Sequence, residues 1–138
     1  MIQSFLQENQ NMEFQNNALF WQKIDTLFFS SDIVIDRPKN SVHPTYSNMI
    51  YPVDYGYLKD TVSGDNDGVD VFVGSKQERI IENIVIAADI LKKDVEIKIL
   101  CGCTEEEIKT ILVFLNQTDF QKTVIISKGK DIPVWAES

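Results

Sequence analysis

The chain has 138 residues, 43% hydrophobic and 25% charged, with a formal net charge of −8. That length carries one hydrophobic core without metal or disulfide staples, and the composition is that of an ordinary globular protein. The acidic balance excludes non-specific binding to nucleic acid or anionic membranes, and no stretch approaches the ~18 consecutive apolar residues of a spanning helix. No basic segment followed by an apolar run opens the sequence, so the expected compartment is the cytoplasm.

Residues 1–16 are rich in Gln and Asn and have only scattered apolar positions. They are expected to form a flexible or partner-docking extension, and residues 17–138 a single domain. Over residues 17–29, Phe20, Ile24, Leu27 and Phe28 recur at helical spacing behind a capping Asn17, and Trp21 widens the apolar face. Residues 32–36 predict a short buried strand stopped by Pro38. The loop over 37–46 holds Arg37, Lys39 and the only histidine, His43. Residues 50–57 read as extended, with Gly56 permitting a bend or a close backbone approach. A turn over 61–68 and a strand over 69–74 follow. Residues 79–89 form a long β-branched run with a bend or bulge, and 94–100 return after a turn. On that return strand Val95, Ile97 and Ile99 share one side, and Asp94, Glu96 and Lys98 the other. The alternation alone leaves open whether the polar side meets solvent or a site. If Asp89 ends one strand of this hairpin and Asp94 opens the next, the two carboxylates face each other.

Thr104 with Glu107 predicts a capping box for a helix over 104–116, striped by Ile108, Ile111, Leu112 and Leu115. Glu105, Glu106 and Glu107 suit its positive end. A closing strand over 123–127 and a tail over 128–138, with Pro133 and Trp135 on the surface, complete the chain. Cys101 and Cys103 lack the partner cluster of a zinc site and read as buried free thiols. Sequential strands flanked by helices predict the α+β class, with a small antiparallel barrel or curled sheet.

The chemistry concentrates between residues 51 and 74. Asp65, Asp67 and Asp70 fall within six positions behind Tyr51, Tyr55 and Tyr57. Carboxylates that close repel one another unless a cation is near, and hard divalent ions such as Mg²⁺ take oxygen ligands of this kind. An EF-hand loop is ruled out, because the twelfth position counted from Asp65 is Lys76 and the flanks are strand-like.

Asp65-Asn66-Asp67-Gly68-Val69-Asp70, preceded by Tyr51-Pro52-Val53-Asp54-Tyr55-Gly56-Tyr57, resembles the signature of the family I soluble inorganic pyrophosphatases. That signature is D-x-D-x-x-D behind Y-P-x-x-Y-G-[FY]. Asp89 and Asp94 match its second acidic pair, five positions apart, and Asp36 matches an acidic strand end before proline. The resemblance spans about residues 32–100. It implies a five-stranded OB-like barrel with flanking helices, and a homo-oligomer that hydrolyses pyrophosphate to two phosphates. It further implies that Asp65, Asp70, Asp89 and Asp94 hold Mg²⁺, that Asp67 orients and deprotonates the attacking water, and that Tyr55 hydrogen-bonds phosphate. The leaving-phosphate half departs from the pattern. There is no room between Tyr46 and Tyr51 for the family's arginine-bearing hairpin. The family lysines fall at Thr45 and Glu96, and its Tyr-Lys pair falls near Thr118 and Asp119. The substitutes are Arg37, Lys39, His43 and Lys98, with Asp36 and Tyr51 completing the expected substrate-binding set. Lys92 and Lys93 read as a solvated hairpin tip. Two alternatives stay open: a hydrolase of another phosphoanhydride such as a nucleotide, and a catalytically silent metal- or phosphate-binding relative.

Overall fold

The computed structural model describes residues 17–64 and 67–134. The expectations for residues 1–16, for Asp65 and for Trp135 lie outside these. In chain order the elements are α1 (Ala18–Phe29), β1 (Ile33–Arg37), β2 (Asp54–Leu58), β3 (Val69–Val73), β4 (Ile81–Asp89), β5 (Asp94–Cys101), α2 (Glu105–Leu115) and β6 (Gln121–Ser127). The strands form one sheet in the order β1-β2-β3-β5-β4-β6. The α+β class holds, with two differences of detail from an all-antiparallel, five-stranded arrangement. First, β3 and β5 run parallel. The chain leaving β3 lays β4 one position further out, and the β4–β5 hairpin brings β5 back into the gap, so β4 serves as the crossover that a parallel pair requires. Second, β6 occupies the outer edge of β4, from Asn83↔Ser127 to Asp89↔Gln121. The sheet is therefore open, with β1 and β6 at its ends.

Both helices begin as their caps dictate. The Asn17 side chain accepts from the Leu19 N–H at 2.8 Å, and Thr104 and Glu107 form the full capping box. The expected bulge in the long run is a register shift between Ile81 and Asn83. Gly56 is used for close approach: a Cβ there would stand 1.8 Å from the Val34 carbonyl oxygen of β1. Arg37 belongs to the end of β1 rather than to the following loop.

The side-chain alternation of the strands divides the core in two. Phe72, Val85 and Leu100 pack with Ile111, Phe114 and Leu115 of α2. Their neighbours Val71, Ile84 and Ile99 pack with Trp21 and Phe28 of α1. The helices thus cover opposite faces of the sheet. This settles β5. Leu100 lies in the α2-side core, so Lys98 and Glu96 share that face, and they are only 5% and 8% exposed. Val95 and Ile97, on the other face, are 65% and 37% exposed. The polar side turns inward, and the apolar side joins Ile24, Leu27, Val62 and Val69 around a groove of about 270 Å³. A register slip of one residue would reverse this arrangement.

Cys101 and Cys103 are free thiols. Burial pushes them up to about 11 and about 12 respectively, so neither is a reactive thiolate. Among the described residues no helix is long and apolar enough to cross a membrane.

Glu107 fastens α2 to the end of β3. Its carboxylate accepts from the Thr104 N–H at 2.9 Å and the Ser75 N–H at 3.1 Å. Partial burial pushes the carboxyl up, but these backbone hydrogen bonds outweigh it and hold it below the ordinary range. A depressed folded-state value contributes stability above the unfolded carboxylate pKa, lost as pH falls through the folded value. Glu107→Ala is expected to cost about 1 kcal/mol at pH 7 in urea denaturation. The gap to wild type should close as the pH is taken into the acid range.

Candidate active site

Beyond the reach of α2, the α2-side face of the sheet changes from apolar to polar. Asp70 continues the face of Phe72 in β3, and Glu96 and Lys98 continue that of Leu100 in β5. Asp70 and Lys98 are direct partners across the parallel pair. At the centre is the Lys98 ammonium. Its Nζ donates to Glu96 Oε1 at 2.7 Å, to Asp70 Oδ2 at 2.9 Å and to Tyr55 Oη at 2.9 Å. Three donors meet three acceptors. Burial works against the Lys98 charge, but Tyr55, Asp70 and Glu96 outweigh it and hold the group raised above its ordinary value. Burial also raises Tyr55, despite the neighbouring ammonium. The stable state is a charged lysine beside a neutral tyrosine.

Tyr55, Asp70 and Glu96 open onto a cleft of about 460 Å³, which is lined also by Asp36, Arg37, Tyr57, Asp67 and Lys92. Gly68 belongs to the same lining, and a Cβ there would come within 2.8 Å of the Tyr57 ring. Four carboxylates, those of Asp36, Asp67, Asp70 and Glu96, line one space. The donor set is entirely oxygen, which fits a hard divalent cation rather than a soft one. Among the described residues no three His, Cys, Asp or Glu side chains are grouped so that they could hold a metal ion by themselves.

Next to this cleft, sharing Arg37, Tyr55 and Lys92 with it, lies a smaller cavity of about 60 Å³. Its polar lining is Arg37, His43, Tyr51, Lys92, Lys98 and Gln121. One water needs ~10–15 Å³ by this measure, so the space suits a few waters or one tetrahedral oxyanion. An aromatic scaffold holds the cations in place. Arg37 Nη1 donates to Tyr51 Oη. Its guanidinium lies 5.5 Å from the Tyr51 ring centre and 5.7 Å from that of Tyr55, within cation–π range. His43 stacks on Tyr51 at 6.0 Å. His43 Nδ1 accepts from the Thr45 and Tyr46 N–H groups at 3.0 and 3.2 Å. Neutral His43 therefore carries its proton on Nε2. Burial lowers its pKa, and Arg37 and Lys92 lower it further.

The structure thus gathers Asp36, Arg37, Tyr55, Asp67 and Asp70 at the large cleft, and His43, Tyr51 and Lys98 at the small cavity. The remaining candidates sit elsewhere. Lys39 lines a separate hollow with Asp54, Ser75 and Glu107, and its backbone N–H donates to Asp54. Asp89 and Asp94 face each other at the end of the hairpin as expected. Asp89 Oδ1 accepts from Leu91 and Lys92 N–H at 2.9 and 3.0 Å, which shapes the turn. That turn carries Lys92, exposed as expected of a hairpin tip, to the edge of the cleft. Glu96 and Gln121 also enter. The inward side of β5 was the available signal for Glu96. Gln121 offered none, because its place depends on β6 pairing with β4 through Asp89.

Comparison with known proteins follows the same line. A search of curated protein sequences returns no match. Solved structures do match. An inorganic pyrophosphatase from Helicobacter pylori is 15% identical at a TM-score of 0.50, covering 75% of this chain and 87% of that one. One from Coxiella burnetii is 15% identical at a TM-score of 0.50, covering 69% and 82%. Likeness at this identity concerns the fold. The sequence match is to the family model described as inorganic pyrophosphatase, which aligns with residues 6–101, well over half of the chain. The chain belongs to the inorganic pyrophosphatase family, hydrolases that act on pyrophosphate.

Proposed function

We propose that pyrophosphate lies across the two joined spaces, with one phosphate in the carboxylate cleft and the other in the cation-lined cavity. The observation that carries this reading is the shared wall of Arg37, Tyr55 and Lys92 between the two. A strongly anionic substrate needs positive charge on both phosphates, and the carboxylate side can receive it only from bound cations.

Asp67 is the general base. It takes the proton from the attacking water as oxygen attacks phosphorus and the bridging P–O bond breaks. Asp65 and Asp70, with Asp89 and Asp94 at the hairpin end, are the proposed holders of Mg²⁺. Asp89 also sets the turn bearing Lys92, through Oδ1. Divalent cations there would neutralise phosphoryl oxygens and make water a stronger nucleophile. Arg37 and Lys92 hold the leaving phosphate, with Tyr51 orienting Arg37, and neutral His43 donates through Nε2. Lys98 adds its charge from the wall. The proposed setting is a cytoplasmic homo-oligomer, and the apolar groove beside α1 supports association with a second copy.

Phosphate release from pyrophosphate with Mg²⁺ tests the assignment. Asp67→Asn should lower kcat by about 10²–10⁴-fold with the fold unchanged by circular dichroism. Undiminished turnover would remove Asp67 as the base. Arg37→Ala should raise KM by roughly tenfold or more, the scale of one charge-assisted hydrogen bond. An unchanged KM would exclude Arg37 from substrate binding. Faster release from a nucleoside triphosphate than from pyrophosphate would reassign the substrate.

A further inference from the structure

We infer that Lys98, which lines the adjoining small cavity, is the resident counter-ion of the cleft's carboxylates, filling with an ammonium a position that a divalent ion would otherwise take. The inference rests on the reading of this cleft as the cation site. It starts from geometry. The ammonium lies between Asp70 and Glu96, at 2.9 and 2.7 Å from their oxygens, and both residues line the cleft. Every N–H of Lys98 is used, two of the three on carboxylates. The Lys98, Glu96 and Asp70 side chains are 6%, 7% and 21% exposed, so water contributes little to compensating their charges.

One ammonium and two carboxylates leave a single negative charge for external cations to meet. Without the lysine two would remain, in a space lined also by Asp36 and Asp67 and by the cations Arg37 and Lys92. The lone pair of Asp70 Oδ2 that accepts from Lys98 is withdrawn from any other cation while the pair persists. Lys98 therefore limits how many divalent ions this half of the site takes, and it keeps the cleft folded when none is bound. The ammonium also adjoins the small cavity, so the same charge helps to offset an anion there.

The test is equilibrium binding of Mn²⁺ to the full chain without substrate, read as free Mn²⁺ by electron paramagnetic resonance, together with thermal unfolding. The variants are wild type, Lys98→Met, Lys98→Met/Glu96→Gln and Lys98→Arg. Lys98→Met should bind one more Mn²⁺ per chain than wild type. Its unfolding temperature should fall in the absence of metal and rise more with Mn²⁺ than that of wild type does. Lys98→Arg, which keeps the charge, should bind as wild type does. Should Lys98→Met fail to fold without metal, refolding in Mn²⁺ should rescue it. The double variant keeps the net charge of the trio unchanged and frees Asp70 from the ammonium, so it should bind Mn²⁺ at least threefold more tightly than wild type. Equal Mn²⁺ binding by wild type and both methionine variants, without rescue, would overturn the role of Lys98 alone. Binding by none of them would overturn the cation reading beneath it.

Discussion

The site depends on a lysine buried where the sheet would otherwise have no reason to be polar. An ammonium taken out of water loses hydration worth several kcal/mol, and only close opposite charge and complete hydrogen bonding compensate. Lys98 has both, in Asp70, Glu96 and Tyr55. The consequence runs both ways. Asp70 belongs to β3, Tyr55 to β2 and Glu96 to β5, so one ammonium ties three strands together across the parallel pair. Removing one member of such a group typically costs about 3–5 kcal/mol, because the others are left charged and buried. The inward polar side of β5 is stable only as a set.

From this set the charge layout follows. On one side of Tyr55 the cleft is carboxylate-rich, and on the other Arg37, Lys92 and His43 gather around a small cavity. A carboxylate half alone would repel a phosphoanhydride, and a cationic half alone would bind phosphate without activating water. The two are useful because they meet. Aromatic rings let them meet without collapse: Tyr51 and Tyr55 stack at 5.2 Å, and Arg37 lies over both. The guanidinium is kept in place by ring faces and a hydroxyl, so it need not spend its charge on Asp36 or Asp70.

How much of this was legible depended on how local each signal was. The acidic run 65–70 and the Tyr-Pro segment announce themselves because their residues are adjacent in sequence. The capping box of α2 and the Asn17 cap are legible for the same reason. The alternation on β5 gave the two sides but not which one faces in, since the decision is made by Leu100 packing against α2. The cationic half was only partly visible. Its members lie at positions 37, 43, 92, 98 and 121, and no spacing rule joins them. Lys92 is exposed, as a hairpin tip predicts. It reaches the cleft because Asp89 sets the turn, a contact that needs coordinates to be seen. The parallel pairing of β3 with β5 and the added β6 are likewise long-range outcomes.

The exchange at positions 96 and 98 shows how a strand can redistribute charge without losing a site. The family resemblance puts a lysine where Glu96 stands, and here the lysine comes two residues later. Because side chains repeat every second residue, a shift of two keeps the ammonium on the same face and moves it about 6.6 Å along the strand. At position 98 it lies opposite Asp70, its partner in the β3–β5 register. The glutamate left at 96 cannot contact phosphate as a cation would, but it supplies the second carboxylate that makes burial of Lys98 tolerable. The cations that line both the cleft and the small cavity are then Arg37 and Lys92, which come from the end of β1 and the β4–β5 turn.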